Sequence, residues 1–157
     1  MKTLTFYLQF HRPPKPAGAG GGGGDAPAIA QSGALASIIG PDGVTARWSM
    51  LPGATARLDN SFALNQDGSM FFEWGTVTFG EGAPGADQIQ FTSIGPGYLL
   101  GPQDPSSPMQ QGAVMWKITG GSGAFAGARG AIVSNFLVDV GTGELVDNHL
   151  YLVNLPG

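Results

Sequence analysis

Apolar and polar residues alternate along most of this chain, the period of a half-buried β-strand rather than of a helix. Leu4, Phe6, Leu8 and Phe10 share one face of a first strand, and Thr3, Thr5, Tyr7 and Gln9 share the other. Further strands are predicted at 33–39, 44–50, 55–64, 69–79, 88–94, 113–119, 131–139 and 144–154. Turn residues separate them: Pro41-Asp42-Gly43, Asn65-Gln66-Asp67-Gly68, Glu81-Gly82 and Val140-Gly141-Thr142-Gly143. Roughly eight or nine short strands with no convincing helix read as an all-β antiparallel barrel or sandwich.

Two stretches interrupt the pattern. The Pro- and Gly-rich segment 12–28 cannot pack and reads as a mobile loop, either a solvated connector or a flap over a barrel mouth. Segment 95–112 reads as a second long loop, with Tyr98, Leu99 and Leu100 packing on the rim. The whole chain, 1–157, is expected to form one domain.

Composition narrows the partners. Only 11% of residues are charged while 42% are hydrophobic, against about 25% charged in ordinary soluble chains. So charge-poor a surface is expected to be covered in part by other copies, as a dimer or trimer. The net charge of −4, with seven Lys and Arg scattered along the chain, argues against nucleic acid. No cysteine is present, so disulfides and a thiol nucleophile are excluded. His11 and His149 are too few for a metal cluster, and no cofactor is expected. No secretion signal or membrane-length apolar run stands out, so a cytoplasmic location and no membrane partner are expected.

The segment from Trp116 to Gly130 carries the most information. Gly120, Gly121 and Gly123 are expected to turn the chain sharply through positive φ, Phe125 to anchor the turn, and Arg129 to follow it. This run, "ITGGSGAFAGARG", and the hairpin "FLVDVGTGELVDNHLYLV" resemble the closing strands of dirigent proteins. "LTFYLQF" is similar to the opening strand of that family, and "TGGSG" to the turn of allene oxide cyclases, which share the fold. The resemblance implies an eight-stranded antiparallel barrel, assembly through barrel exteriors, and a pocket lined by the arginine at Arg129. Phe10 and Ala124 stand where dirigent proteins that couple phenoxy radicals carry aspartates, which speaks against lignan chemistry.

Few groups could carry chemistry. Glu73 lies within the apolar run Met70-Phe71-Phe72-Glu73-Trp74; facing inward it would be an acid or base with a raised pKa, facing outward a solvated charge. Arg129 would bind a substrate oxygen or else fix the glycine turn with a salt bridge. Asn135 falls on the same strand face as Arg129, and Asn60 on the apolar face opposite Arg57, Asp59 and Ser61. Phe6, Phe10, Trp74, Tyr98 and Trp116 are candidates to shape a cavity, or else plain core and interface. Asp147, His149 and Tyr151 share a strand face and read as a surface trio rather than a relay. No serine sits in a nucleophile elbow.

Together with the resemblance these residues imply a cofactor-independent cyclase or isomerase that folds a hydrophobic intermediate, a polyketide or oxylipin for example, for stereoselective ring closure. Arg129, Glu73 and Asn135 would be its catalytic groups. Orientation alone can be worth about 7–11 kcal/mol in such a reaction. The alternative is a dirigent-like or lipocalin-like protein that binds a small molecule without transforming it.

Overall fold

The computed structural model describes residues 1–15, 28–41, 43–80, 86–102 and 104–157, and for 28–40 and 43–54 the backbone alone. Among these, nine strands form: β1 (Lys2–Arg12), β2 (Ala28–Gly40), β3 (Gly43–Leu64), β4 (Met70–Phe79), β5 (Gln88–Ser93), β6 (Gly97–Leu100), β7 (Met109–Ser122), β8 (Arg129–Asp139) and β9 (Leu145–Leu155). Every pairing is antiparallel, in the order β3-β2-β1-β9-β8-β7-β5-β4-β6. β3 also pairs with β4, so the pairings run in a circuit through every strand but β6. No helix among the described residues is long and apolar enough to cross a membrane.

Three departures from the sequence pattern have local causes. The strands expected at 44–50 and 55–64 are one strand, β3. Between Met50 and Thr55 it slips its register against Gln31 and Gly33 of β2, so that 51–54, with Pro52 and Gly53, bulge rather than end the ladder. The expected loop at 95–112 contains β6 and the start of β7, because Tyr98 pairs with both Met70 and Ala113. Tyr98 and Leu100 consequently point to solvent. Of the segment 12–28, Arg12 closes β1 and is buried, whereas 16–27 lie outside the described residues. Asp42 of the turn expected at Pro41-Asp42-Gly43, and the whole turn expected at Glu81-Gly82, also lie outside them.

The glycine-rich turn works differently from its sequence expectation. Gly120 and Gly121 are strand residues of β7, and within the Gly120–Gly123 cluster only Gly123 has positive φ, at 57°, where a 3-10 turn at Gly123–Phe125 begins. Gly121 is needed for close approach: a Cβ there would stand 2.5 Å from the carbonyl oxygens of Gln88 and Phe125. Because backbone cannot yield as a side chain does, Gly121→Ala should lower stability by about 1–3 kcal/mol, read as a drop in thermal midpoint. Phe125 anchors the turn as expected, packing against Phe79 at 4.6 Å between ring centroids.

Alternation sorts the side chains into an inner and an outer face. The inner row of β1 runs Leu4, Phe6, Leu8, Phe10 and then Arg12. At one end of the interior Phe6 stacks on Tyr151 at 4.5 Å, beside Phe79 and Phe125. The middle is filled by Leu58, Phe91, Trp116, Ile132 and His149. The other end is open, and a few polar side chains enter it. Outside, Arg57 and Asp59 form the expected exposed pair at 2.8 Å. Met115, Val133 and Leu150 line up across β7, β8 and β9 as an exposed apolar row.

Candidate active site

The open end of the interior holds a cavity of about 290 Å³. Its walls are largely apolar: Phe62 and Leu64 from β3, Phe71 from β4, Leu99 from β6, Phe136 and Val138 from β8, and Leu145 from β9. Four polar side chains enter it, namely Arg12, Asn60, Glu73 and Asp147. Few convergent polar groups in an apolar cleft are the usual composition of a small-molecule site.

Glu73 is there because of alternation on β4. Phe71, Glu73 and Val77 face inward, while Phe72 and Trp74 face solvent. Its backbone is fixed where β5 ends: the Glu73 N–H donates to Ser93 Oγ at 2.8 Å, and that hydroxyl donates back to the Glu73 carbonyl at 3.1 Å. Across the strand pair, Asn60 lies on the same inner face as Leu58, and its Nδ2 donates to Glu73 Oε1. Burial pushes the Glu73 carboxyl up to about 7; the Asn60 hydrogen bond opposes this, the nearby Asp147 charge adds to it, and Trp116 and Arg12 oppose it. Arg12, at the end of the apolar row of β1, is drawn down by burial and held up by Glu73 and Asp147. It remains a cation in this site.

Asp147 faces the cavity from β9, between Phe10 of β1 and Phe136 of β8 in the ladder. Its Oδ1 accepts a hydrogen bond from Ser134 Oγ at 2.7 Å, and its Oδ2 lies 2.8 Å from His149 Nε2. His149 Nδ1 in turn meets the Tyr151 hydroxyl at 3.0 Å. His149, Ser134 and Tyr151 are fully enclosed. Burial, and secondarily the Asp147 charge, raises the Tyr151 phenol well above its ordinary range. The trio expected on the surface is therefore an interior chain of polar groups. Among the described residues no three His, Asp or Glu side chains are arranged to share a metal ion.

Several expected site residues lie elsewhere. Arg129 is exposed, and its guanidinium donates to the carbonyls of Thr119 at 3.0 Å and Ala128 at 2.7 Å. The inner face of β8 is carried by Ile132, Ser134 and Phe136, which turns Arg129 and Asn135 outward together. Asn135 Oδ1 accepts from Asn148 Nδ2 at 3.1 Å on that outer face. Arg129 thus fixes the glycine turn, through backbone carbonyls rather than a salt bridge. Arg129→Ala should leave ligand binding in the cavity unchanged and cost about 0.5–1.5 kcal/mol of stability, as measured by calorimetry.

Trp74 and Tyr98 are also exposed and do not line this cavity. Phe6, Phe10 and Trp116 are interior but fill the core beneath the cavity instead of lining it. Phe10 and Trp116 pack against His149, with ring centroids at 4.6 and 4.8 Å. Arg12, Ser134 and Asp147 went unrecognised as site residues. Only Arg12 carries a signal in the sequence, as the next inner position of β1 after Phe10.

No protein-family model matches the chain, and no curated protein matches it in sequence. Among solved structures it is similar to a pterocarpan synthase dirigent protein, at 17% identity and a TM-score of 0.46, over 99% of this chain and 89% of that one.

Proposed function

We propose that this chain is a cofactor-independent cyclase or isomerase that folds a hydrophobic biosynthetic intermediate, of polyketide or oxylipin type, within a closed eight-stranded barrel. The observation that carries this is Glu73, a buried carboxyl with a midpoint near 7 at the wall of an apolar cavity. A group with that midpoint is divided between acid and base near neutral pH, the condition under which general acid–base catalysis is most effective. The circuit of strand pairings supports the barrel.

The chemistry follows from the walls inward. Phe62, Leu64, Phe71 and Phe136 hold an apolar chain and limit its conformers, which supplies orientation worth about 7–11 kcal/mol when reacting atoms are aligned. Glu73, held by Asn60, gives its proton to the oxygen whose bond to carbon breaks as the ring closes. Arg12 offsets negative charge that develops beside it.

The test is turnover of a panel of apolar hydroxy-epoxides, with cyclic products identified by chromatography and mass spectrometry. Glu73→Gln is expected to lower kcat by about 10²–10⁴-fold with the fold retained. Compounds that bind and are returned unchanged by the wild type would leave a small-molecule binding protein instead.

The same low-charge surface motivates a homo-oligomer built on the outer row Met115, Val133 and Leu150. Leu150→Glu should then shift the mass measured by light scattering from oligomer to monomer; an unchanged mass would remove this row from the interface.

A further inference from the structure

Asp147, His149, Tyr151 and Ser134 do nothing in the acid step assigned to Glu73, yet they form the most enclosed polar chain among the described residues. A chain of this kind could be plain core stabilisation. Two observations distinguish it. First, it ends at the cavity: Asp147 lines the same space as Glu73, whereas its three partners are sealed from solvent. Second, each partner meets a defined atom. Ser134 Oγ donates to Oδ1 at 2.7 Å, His149 Nε2 lies 2.8 Å from Oδ2, and the Tyr151 hydroxyl lies 3.0 Å from Nδ1. If the Tyr151 hydroxyl donates to Nδ1, the imidazole proton is on Nε2, which stands 2.8 Å from Oδ2 though off the line of a full hydrogen bond. Of the two carboxylate oxygens, Oδ1 accepts from Ser134 and Oδ2 is approached by His149, and the carboxylate lines the cavity.

We propose that Asp147 is the second reacting carboxylate of the cavity, the base to the acid Glu73, with Ser134, His149 and Tyr151 as its positioning residues. The inference rests on the acid–base reading of this cavity and adds a substrate requirement: an apolar molecule carrying a hydroxyl as well as an electrophilic carbon–oxygen bond. In the ring-closing step the substrate O–H bond breaks and its proton passes to Asp147. That oxygen forms the new bond to carbon, the carbon–oxygen bond of the epoxide breaks, and the freed oxygen takes the proton of Glu73. Asp147 ends protonated and Glu73 ionised, and one proton returned from Asp147 to Glu73 through the cavity restores both. Among the described residues, the charged and titratable groups coupled to Asp147 are Arg12 and Tyr7 from β1, Glu73 from β4, and His149 and Tyr151 from its own strand.

A nitrobenzisoxazole tests the base without the natural substrate. A base removes its ring C–H proton, the N–O bond breaks, and a coloured phenolate forms. With Glu73→Gln as the background, so that the other carboxyl cannot act as the base, turnover should fall about a hundredfold when Asp147→Asn is added. His149→Gln keeps a donor toward Asp147 but cannot hold the tautomer. It should lower kcat about tenfold at unchanged KM, and a structural role alone would move the melting temperature without this split. Unchanged turnover on adding Asp147→Asn overturns the proposal. Should these variants fail to fold, nitrogen NMR of His149 in the wild type decides: a proton on Nε2 supports the arrangement, and a proton on Nδ1 overturns it. If the probe behaves as expected while no hydroxy-epoxide is closed, Asp147 stands as a base and the ring-closing function falls.

Discussion

Glu73→Gln should raise the thermal stability of the protein above about pH 8 and leave it nearly unchanged below about pH 4. In the unfolded chain this carboxyl titrates near its ordinary value of 4.5, and in the fold its midpoint lies at about 7. Between those two values the native state holds a proton that the unfolded chain has released. Stability therefore falls as pH rises through the window and is flat on either side of it. The full difference is about 3 kcal/mol at 1.36 kcal/mol for each unit of midpoint, and it originates mainly in the burial of a charge. Glutamine keeps the shape and an oxygen to accept from Asn60 Nδ2 but never ionises, so the penalty disappears at high pH only. Melting curves of both proteins across this range check the point, and a gain that is equal at both extremes would mean that Glu73 is not a buried ionising group. A protein that retains such a cost in its folded state gives up stability at a site where chemistry would make use of it.

The alternation that reveals the strands also determines how much of the site can be read from sequence. On β1 the faces differ sharply, Leu4, Phe6, Leu8 and Phe10 against Thr3, Thr5, Tyr7 and Gln9, and the inward face is legible. Asn60 is legible for the same reason, since Ala56, Leu58 and Phe62 flank it. On β4 both faces are bulky and apolar, so Glu73 could be read either way until the register against β3 set Phe71 and Glu73 inside. β8 is the instructive failure. Its outer face carries Ala131, Val133 and Leu137 and its inner face Ile132, Phe136 and Val138, so hydrophobicity does not separate them. With the face undecided, resemblance put Arg129 and Asn135 in the pocket, and every side chain on the strand was inverted with them. The trio on β9 failed in the opposite sense. Three polar side chains in a row read as surface, because their cost in the interior is met only by each other and by Ser134 from a different strand. A closed set of partners drawn from two strands is invisible to periodicity.

Trp116→Ala should be the most damaging single truncation in the interior. The indole is fully buried, packed on Phe91 at 4.5 Å and edge-on to His149 at 4.8 Å. Removing so large a side chain costs about 3–5 kcal/mol, because the lost transfer energy is joined by a void that a strand framework cannot collapse to fill. That is a large share of the roughly 5–15 kcal/mol that holds an ordinary domain together, and urea titration should show the midpoint fall accordingly. Trp116→Phe separates packing from polarity. It keeps most of the volume but drops the indole N–H, which meets no acceptor at full hydrogen-bond geometry yet lies close enough to Glu73 to favour its ionised form. Without that donor the Glu73 midpoint should rise further, and the pH window in which stability declines should extend upward with it. A window that stays in place would mean that the indole acts on this site through packing alone. The one side chain would then support the cavity from below without tuning the acid within it.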